Sequence, residues 1–422
     1  MNTLKKCGIL TMALTAAGAA LAAPSVDDSV TVATDANNGL VTIGYQLTGE
    51  KGIVTIDVQT NALADATGAW VSVGDCHLTT LDGAVNRLVS SVGTRQTATW
   101  NPRNDGVDLS TTTNLKAVVK AWSVANPPDW LVVGLIAAND VRFYTSTNCF
   151  PYGGLRNDLY CTDKLVLRKI PAAGVTWRMG KKGATSGNAL PHQVTLTFDY
   201  YMGIYPVTQG QFGNIRPDMA GSKNPSSFKT GVYASRRPMN PQDFVSFKDF
   251  RGDGSAGAVY DWPDKGHAVD PASFLGKLRD LSGVDFDLPT EAQWEFACRA
   301  GTGTQFWNGK DSLTANERKN MCWGNEDSGG NTMDRVGIRW ANAWGLCDLY
   351  GFVHDRCLDW YQDDITSVDP EKGPSSGTTR TGRGAGYGNT VADTTSSFRL
   401  GVGMDGSPYR GYRVMCPVSL KW

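Results

Sequence analysis

Hydrophobic residues alternate with polar ones along the first third of the chain. In the run VTIGYQL at residues 41–47 every second side chain is apolar, and residues 54–58 repeat that spacing. Further strand-like runs lie at residues 71–73 and 115–122, and Asn-Gly, Asp-Gly and Pro-containing turns separate the runs. A period of two is typical of strands that bury one face. Residues 25–140 are therefore predicted to form an all-β domain, similar to an immunoglobulin or fibronectin sandwich.

Two helices are predicted in the second half of the chain. Asp270 is placed to cap the first, with Pro271 at its first position, where proline is favoured. The apolar face of this helix comprises Phe274, Leu275, Leu278 and Leu281. Thr290 is placed to cap the second helix, and Gln293 three residues later completes a capping box. Gly301 is a natural stop for this helix.

A polar segment separates the predicted all-β domain from the rest of the chain. Residues 141–163 are polar and contain Gly and Pro, so they are predicted to be a linker. Cys149 and Cys161 lie close enough in sequence for a local disulfide to close this segment. Residues 164–422 are predicted to form a second domain, in which short strands, helices and long loops mix. The whole chain is thus expected to be an α+β protein of two domains.

Composition narrows the class of protein. Apolar residues make up 41% of the chain, charged residues make up 19%, and the formal net charge is −1. This balance is ordinary for a globular protein, and it lacks the basic excess of a nucleic-acid-binding protein. The 48 glycines and 13 tryptophans are unusual. They favour a loop-rich fold whose irregular backbone is held by large side chains.

The N-terminus has the pattern of a secretory signal. Lys5 and Lys6 precede a short apolar stretch at residues 8–21, and Ala20-Leu21-Ala22 provides a small-residue cleavage site. Residues 1–22 are therefore predicted to be a signal peptide. No segment reaches the length of a transmembrane helix. The protein is expected to be secreted or to reside in the periplasm or cell envelope.

Eight cysteines follow the predicted signal peptide. An even number of cysteines in an oxidising compartment favours disulfides over free thiols. None of them forms a CxxC pair, so zinc ribbons and thioredoxin-like motifs have no support. The eight are Cys76, Cys149, Cys161, Cys298, Cys322, Cys347, Cys357 and Cys416.

Six ordered motifs in residues 164–422 resemble those of the formylglycine-generating-enzyme, or sulfatase-modifying factor, family. The best match is DLPTEAQWEFACR at residues 287–299, which is close to the family's helix R-L-P-T-E-A-E-W-E-Y-A-x-R. The others are WRMG at 177–180, YPVT at 205–208, NAWGLCDLYG at 342–351, DWY at 359–361, and the closing pair RG at 383–384 and GYR at 411–413. The resemblance implies an irregular fold related to C-type lectins. Most of the matched residues are expected to serve the core and the helix caps.

The resemblance also implies copper chemistry, which this sequence does not support. Active family members oxidise a sulfatase cysteine to formylglycine with copper held by two cysteines that follow the R-G-G-S-W motif. The corresponding segment, residues 386–396, contains no cysteine, and none occurs between Cys357 and Cys416. Hydroxyl and amide groups cannot replace thiolates for Cu(I). No catalytic residue is therefore predicted, and copper is not expected as a cofactor.

The resemblance carries two further expectations. Where the family has the calcium-binding motif G-N-V-W-E-W, this chain has GFVHDR at residues 351–356, so Asp355 is the candidate calcium ligand. Arg356 beside Asp355 is expected to be its ion-pair partner. Cys298 and Cys416 match, within a residue or two, a pair that some family members join by a disulfide.

Three functions remain open. The first is a non-catalytic module that binds a peptide, protein or glycan, with Arg383, Tyr387, Asn389 and Arg399 as the residues lining the ancestral cleft. The second is a formylglycine-generating oxidoreductase that uses rearranged ligands. The third is a structural component of the envelope. The intact scaffold motifs and the missing cysteine pair favour the first, although a fold alone does not fix a function.

Overall fold

A computed structural model describes residues 22–63, 67–110, 114–228, 237–252, 261–326, 332–390 and 393–418. The predicted signal peptide lies outside these ranges except for its last residue. No helix within the described ranges is long and apolar enough to span a bilayer.

The described residues form many short strands and a few helices. The strands are β1 (Ser25–Val26), β2 (Thr31–Thr34), β3 (Val41–Thr48), β4 (Gly52–Asn61), β5 (Val71–Ser72), β6 (Asp82–Gly83), β7 (Arg87–Val89), β8 (Arg95–Trp100), β9 (Asn114–Trp122), β10 (Trp130–Gly134), β11 (Val141–Tyr144), β12 (Lys164–Ile170), β13 (Thr176–Met179), β14 (His192–Thr195), β15 (Tyr200–Gly203), β16 (Cys322–Trp323), β17 (Tyr350–Gly351), β18 (His354–Trp360), β19 (Arg380–Arg383), β20 (Arg399–Val402), β21 (Arg410–Gly411) and β22 (Met415–Pro417). The α-helices are α1 (Gln209–Ile215), α2 (Phe247–Phe250), α3 (Phe274–Ser282), α4 (Glu291–Arg299) and α5 (Ala315–Met321). Short 3-10 turns occupy Asp75–His77, Thr147–Cys149, Gly154–Arg156, Asp158–Cys161, Pro217–Met219, Gly221–Lys223 and Arg237–Met239.

The N-terminal region forms two antiparallel sheets that share one core. One sheet has the order β1-β3-β8-β6, with β2 also paired to β3, and the other has the order β5-β4-β7, with β9 also paired to β4. The alternating residues of β3, namely Val41, Ile43, Tyr45 and Leu47, are buried with those of β4 in this core. The predicted all-β character is thus confirmed, while likeness to an immunoglobulin or fibronectin domain stays a prediction.

The predicted linker is part of the second region's central sheet. Strands β11 and β10 pair in antiparallel fashion, and β10 pairs along its whole length with β12, which gives the sheet order β11-β10-β12-β15-β22. The boundary predicted near residue 140 is therefore wrong, because the apolar runs of β10 and β11 bury their faces against the second region. The amide of Phe143 also donates to the carbonyl of Asn86 at 2.7 Å, which ties this sheet to the first region.

Residues 147–161 pack as folded turns rather than as a flexible segment. Cys149, Phe150 and Tyr160 are buried in one apolar cluster. The predicted disulfide between Cys149 and Cys161 is not formed. The thiol of Cys161 lies 3.4 Å from the carbonyl of Asp158, whereas the pKa of Cys149 responds to the carboxylate of Asp75 in the first region. The two thiols therefore sit in different surroundings.

The central sheet separates two apolar cores. Alternating residues of β15 point to opposite faces, so Tyr200 and Met202 join α4 on one side. Tyr201 joins α2 and α3 on the other side, in a core that also receives Ile53 from the first region. Both faces of the sheet are thus covered, which explains why all four residues of β15 are buried.

The two predicted helices are present, and one of them begins later than expected. Thr290 caps α4, and its capping box with Gln293 is formed in both directions. Helix α3 is capped by Ser273, whose hydroxyl accepts from the amide of Gly276 at 3.1 Å. Asp270 instead accepts from the amide of Ala272 at 2.9 Å, in a turn that precedes the helix. Ser273 rather than Asp270 caps the helix because it directly precedes the first helical residue, so its side-chain oxygen reaches the amide of the third helical residue.

Candidate functional site

The segment between β19 and β20 holds the predicted cleft residues. Strands β20, β19, β18 and β21 form a four-stranded sheet in that order, and β19 leads directly into the segment. Gly384 has φ +84°, and a Cβ there would lie 2.9 Å from the carbonyl of Leu349. A glycine is needed at this position because the backbone turns in the left-handed region against a neighbouring carbonyl. The turn carries the following residues away from the sheet and towards the surface.

Tyr387 and Asn389 hold the end of this turn. The amide of Tyr387 donates to the carbonyl of Phe352 at 2.8 Å, and the side-chain oxygen of Asn389 accepts from the amide of Gly386 at 2.9 Å. The ring of Tyr387 is buried and packs edge-on against Phe228, with ring centres 5.0 Å apart. Asn389 is half-buried. Nδ2 of Asn389 donates to Oδ2 of Asp393 at 3.3 Å, so the side chain of Asn389 holds the turn at both its polar atoms, and Asn389 is the more exposed of the two residues.

An aromatic cluster lies beneath the turn. Its buried members are Phe228, Trp323, Met333, Phe352, Val353 and Tyr387. The ring of Tyr409 packs on Tyr387 with centres 4.3 Å apart, and Tyr409 is partly exposed with φ +67°. A tyrosine in the left-handed region is uncommon and costs conformational energy. Sequence reasoning missed Tyr409 and Phe228, since neither lies in a recognised motif.

Arg383 and Arg399 do not line a cleft. They lie directly opposite each other in the register of β19 and β20, and they are 0% and 3% exposed. Nε of Arg399 lies 2.5 Å from Oε1 of Glu291, and Arg383 pairs with Glu295. The prediction that these two arginines contact a ligand is wrong, because α4 presents a carboxylate to each of them.

These arginines belong to a buried charge cluster, which comprises Glu291, Glu295, Arg299, Arg383 and Arg399. Burial on its own would raise the pKa of Glu291, but Arg399 and Arg383 outweigh it and hold the pKa below its ordinary value. Asp359 shows the opposite effect, since burial and the charge of Glu291 raise its pKa well above the usual range. Oδ2 of Asp359 accepts from the amide of Glu291 at 2.7 Å.

Asp355 is not suited to calcium. Its Oδ2 accepts from Nε1 of Trp294 and from Nε of Arg413, each at 2.9 Å. A guanidinium beside the carboxylate neutralises the charge that a cation requires. The predicted pairing with Arg356 is also wrong. Successive residues of a strand face opposite sides, and Arg356 donates to the hydroxyl of Tyr412 at 2.5 Å.

His354 provides no acid–base group. Its side chain is buried, and burial together with the charge of Arg410 lowers its pKa to about 3. The imidazole is therefore neutral at physiological pH. Its ring lies over Phe398 with centres 6.2 Å apart.

The thiols near the turn do not form a copper site. Sγ of Cys298 lies 3.7 Å from Oγ of Ser396, and Oγ1 of Thr394 lies 3.6 Å from Sγ of Cys322. Burial raises the pKa of Cys298 to about 11, which favours the thiol over the thiolate that a metal needs. Within the described ranges no three His, Cys, Asp or Glu side chains are grouped so as to hold a metal. The residues present do not fit a copper cofactor.

The predicted disulfide between Cys298 and Cys416 is not formed. Cys416 lies opposite Tyr201 of β15 in the sheet register. Its side chain packs in the same core as Tyr201, α2 and α3. Cys298 packs with Met415 in the core on the other face. The two thiols thus lie on opposite sides of a sheet, because neighbouring residues of β22 point in opposite directions.

Comparison with known proteins identifies the family of the second region. Residues 169–416 match the sequence profile described as "Sulfatase-modifying factor enzyme 1-like domain". A formylglycine-generating enzyme of Streptomyces coelicolor is 33% identical over 112 residues, which cover 24% of this chain and 35% of the relative. The serine/threonine-protein kinase pkn1 of Chlamydia caviae is 26% identical over 226 residues, which cover 52% of this chain and 33% of the kinase. The chain thus spans about a third of the length of each of these relatives.

A solved structure is also similar to the chain. The Treponema denticola variable protein 1 is 22% identical, with a TM-score of 0.46 over 60% of this chain and 95% of that protein.

Proposed function

Because the chain belongs to the sulfatase-modifying factor family, we propose that it is a non-catalytic member that binds a peptide, protein or glycan outside the cytoplasm. The observation that carries this proposal is the segment between β19 and β20. It begins with the family's Arg-Gly pair at residues 383–384, yet it contains no cysteine. Family oxidases require that thiol pair, whereas a binding module does not.

The binding surface proposed here consists of the exposed edge of the turn and its neighbour, namely Gly388, Asn389, Thr390 and Tyr409. Each of these residues is partly or fully exposed. An aromatic ring beside amide and hydroxyl groups suits peptide and sugar ligands, which offer both apolar faces and hydrogen-bonding groups. The aromatic cluster packs against this edge through the rings of Tyr387 and Tyr409.

The predicted export and the all-β first region fit the same function. The N-terminal pattern of residues 1–22 is typical of a signal peptide, so we propose that the protein acts in the envelope or outside the cell. The first region supplies its own core and offers no family motif, which fits a spacer or docking module.

The binding proposal is tested by screening immobilised glycans and peptides with the purified mature chain. Any ligand found should bind more weakly, by about tenfold or more, to Asn389→Ala and Tyr409→Ala, because a well-placed contact contributes about 1–2 kcal/mol. Asn104→Ala, an exposed asparagine in the first region, is the matched control and should bind as the parent does. Unchanged binding by both site variants would remove this surface from the proposal.

The oxidase alternative is tested with Cu(I) and a cysteine-containing sulfatase peptide. We expect no change in the mass of the peptide. Conversion of its thiol to an aldehyde by the purified protein would overturn the proposal, because it would show that thiols other than the missing pair support catalysis. If neither a ligand nor turnover is found, the structural role in the envelope is favoured.

A further inference from the structure

A buried guanidinium in β18 is surrounded by neutral acceptors. Arg356 is 0% exposed, and its terminal nitrogens donate to the hydroxyl of Tyr412 and to the carbonyls of Val245, Gly403 and Asp405. Its Nε finds no acceptor within the described ranges. Buried charges in proteins are normally paired with an opposite charge, because the transfer of an unpaired ion out of water is costly.

A second guanidinium lies on the same face of the sheet. Arg410 is opposite His354 in the parallel register of β18 and β21, and Arg356 is two positions further along β18. Residues opposite each other in a register, and residues two apart in a strand, point to the same face. Nη1 of Arg410 lies 3.7 Å from the place of a Cβ on Gly403, whose carbonyl accepts from Nη2 of Arg356 at 2.7 Å. The two guanidinium groups are therefore neighbours.

No described carboxylate neutralises this pair. Neither Arg356 nor Arg410 forms an ion pair with a described residue, and the guanidinium of Arg410 makes no hydrogen bond there. Burial and the charge of Arg356 lower the pKa of Arg410, and only Tyr412 acts against them. The carboxylate of Asp249, which acts weakly on the pKa of Tyr412, accepts instead from the hydroxyl of Ser246 at 2.6 Å. Two adjacent cations thus repel each other without a counter-charge.

Of the two guanidinium groups, that of Arg410 is the accessible one. Arg410 is partly exposed, and the segment 403–409 that precedes it is partly or fully exposed as well. An anion from solution would therefore contact Arg410 directly. It would also be attracted by the buried charge of Arg356, since a charge in the interior is screened less than one at the surface.

We propose that Arg410, with Arg356 beside it, forms a binding site for an oxyanion. The planar donors of a guanidinium match the oxygens of a carboxylate, sulfate or phosphate group, and the charges strengthen these hydrogen bonds. A bound oxyanion supplies the negative charge that the described neighbours of the two arginines do not provide.

The oxyanion has two possible sources with the same chemistry. It is either a free inorganic anion or the acidic group of a larger ligand. Arg410 follows Tyr409, a residue of the proposed binding surface, so an acidic group on a ligand of that surface is one source. The inference itself stands on the charges of β18 and β21 and does not rest on the proposed function.

The test is thermal unfolding of the purified chain in sodium sulfate, with the ionic strength held constant by sodium chloride. Sulfate stabilises many proteins without binding to them, so the readout is the difference between the parent and Arg410→Gln. The parent should show a saturable rise in unfolding temperature. Arg410→Gln should need about tenfold more sulfate or more, the effect of losing one charge-assisted hydrogen bond. Arg178→Gln changes an exposed arginine and should respond as the parent does.

Stability without sulfate separates a binding site from a structural arginine. Arg410→Gln should then unfold at the parent's temperature or above, because it removes the repulsion with Arg356. Arg410→Glu should unfold at a higher temperature than Arg410→Gln, because it brings a carboxylate towards Arg356, and it should not respond to sulfate. A lower unfolding temperature of Arg410→Gln than of the parent would overturn the inference, since the guanidinium would then be satisfied within the protein.

A sulfated oligosaccharide and its neutral counterpart distinguish the two sources. Tighter binding of the sulfated sugar than of sulfate, lost in Arg410→Gln, assigns the oxyanion to a larger ligand, whereas equal binding of both assigns it to a free anion. The inference is overturned if the parent shows no saturable response to either, or if Arg410→Gln responds as the parent does. Binding of the neutral sugar alone would support the proposed function and overturn only this inference.

Discussion

Replacing Glu295 with glutamine should destabilise the second region strongly, because it removes the carboxylate that pairs with Arg299 and leaves Arg383 only the more distant Glu291, at 3.6 Å. Oε1 of Glu295 accepts from the amide of Gly180 at 2.9 Å and from Nε of Arg299 at 2.8 Å. Its other oxygen pairs with Arg383. None of the three charged side chains is more than 4% exposed.

The expected loss is about 3–5 kcal/mol in the free energy of unfolding, the cost of removing one partner from a buried ion pair. Glutamine preserves the size of the side chain and one oxygen for Gly180, so the loss reports the charge. Burial alone would raise the pKa of Glu295, but Arg383 and Arg299 hold it below the ordinary value. The carboxylate therefore stabilises the fold above the ordinary pKa of about 4.5, and this contribution is lost as the pH falls through the lowered pKa. The deficit of the variant should accordingly shrink in acid.

Urea unfolding followed by tryptophan fluorescence measures the change, with Glu326→Gln as the control. Glu326 is 50% exposed and pairs with Arg318, and exposed pairs contribute little. Adding Arg299→Met to Glu295→Gln should restore part of the lost stability, because Glu295 is the carboxylate with which Arg299 pairs and the buried cation left behind is then removed. Equal stabilities of Glu295→Gln and Glu326→Gln would refute the reasoning.

Three further results are expected. Cys298 and Cys416 should both be alkylated in denatured protein that has not been reduced, and a disulfide-linked peptide containing them would contradict the structure. Arg251 and His267 outweigh burial and lower the pKa of Asp287 to about 2, so Asp287→Asn should be less stable than the parent at pH 7 by urea unfolding. That deficit should fade as the pH drops from about 4 towards 2, and a constant deficit would argue against the ion pair. Phe274→Ala should lose about 3–5 kcal/mol, since its fully buried ring stacks on two other phenylalanines. A loss below 1 kcal/mol would show that the core closes around the cavity.

Much of the fold was predictable because local patterns fix local structure. The alternation in β3 predicted a strand with one buried face, and the capping box predicted the start of α4. Both depend on residues within a few positions of each other. The predicted domain boundary near residue 140 was wrong because it depends on a contact between distant residues. Strand β10 pairs with β12, and no local pattern in β10 reveals that partner.

The candidate site was predictable only as a segment. The motif Arg383-Gly384 located the turn after β19, and the missing cysteines excluded the copper pair. The predicted ligand-binding roles of Arg383 and Arg399 were wrong because the sequence does not show whether an arginine contacts a ligand or a carboxylate of the same protein.

The sequence by itself determined the family, the strand and helix periods and the absence of a thiol pair between β19 and β20. Only the tertiary structure decided which charges compensate each other. Glu295 and Arg383 are 88 positions apart, and Asp355 and Arg413 are 58 apart. The electrostatic energy of a side chain depends on its distance from other charges and from water, and folding sets both distances between residues that are remote along the chain.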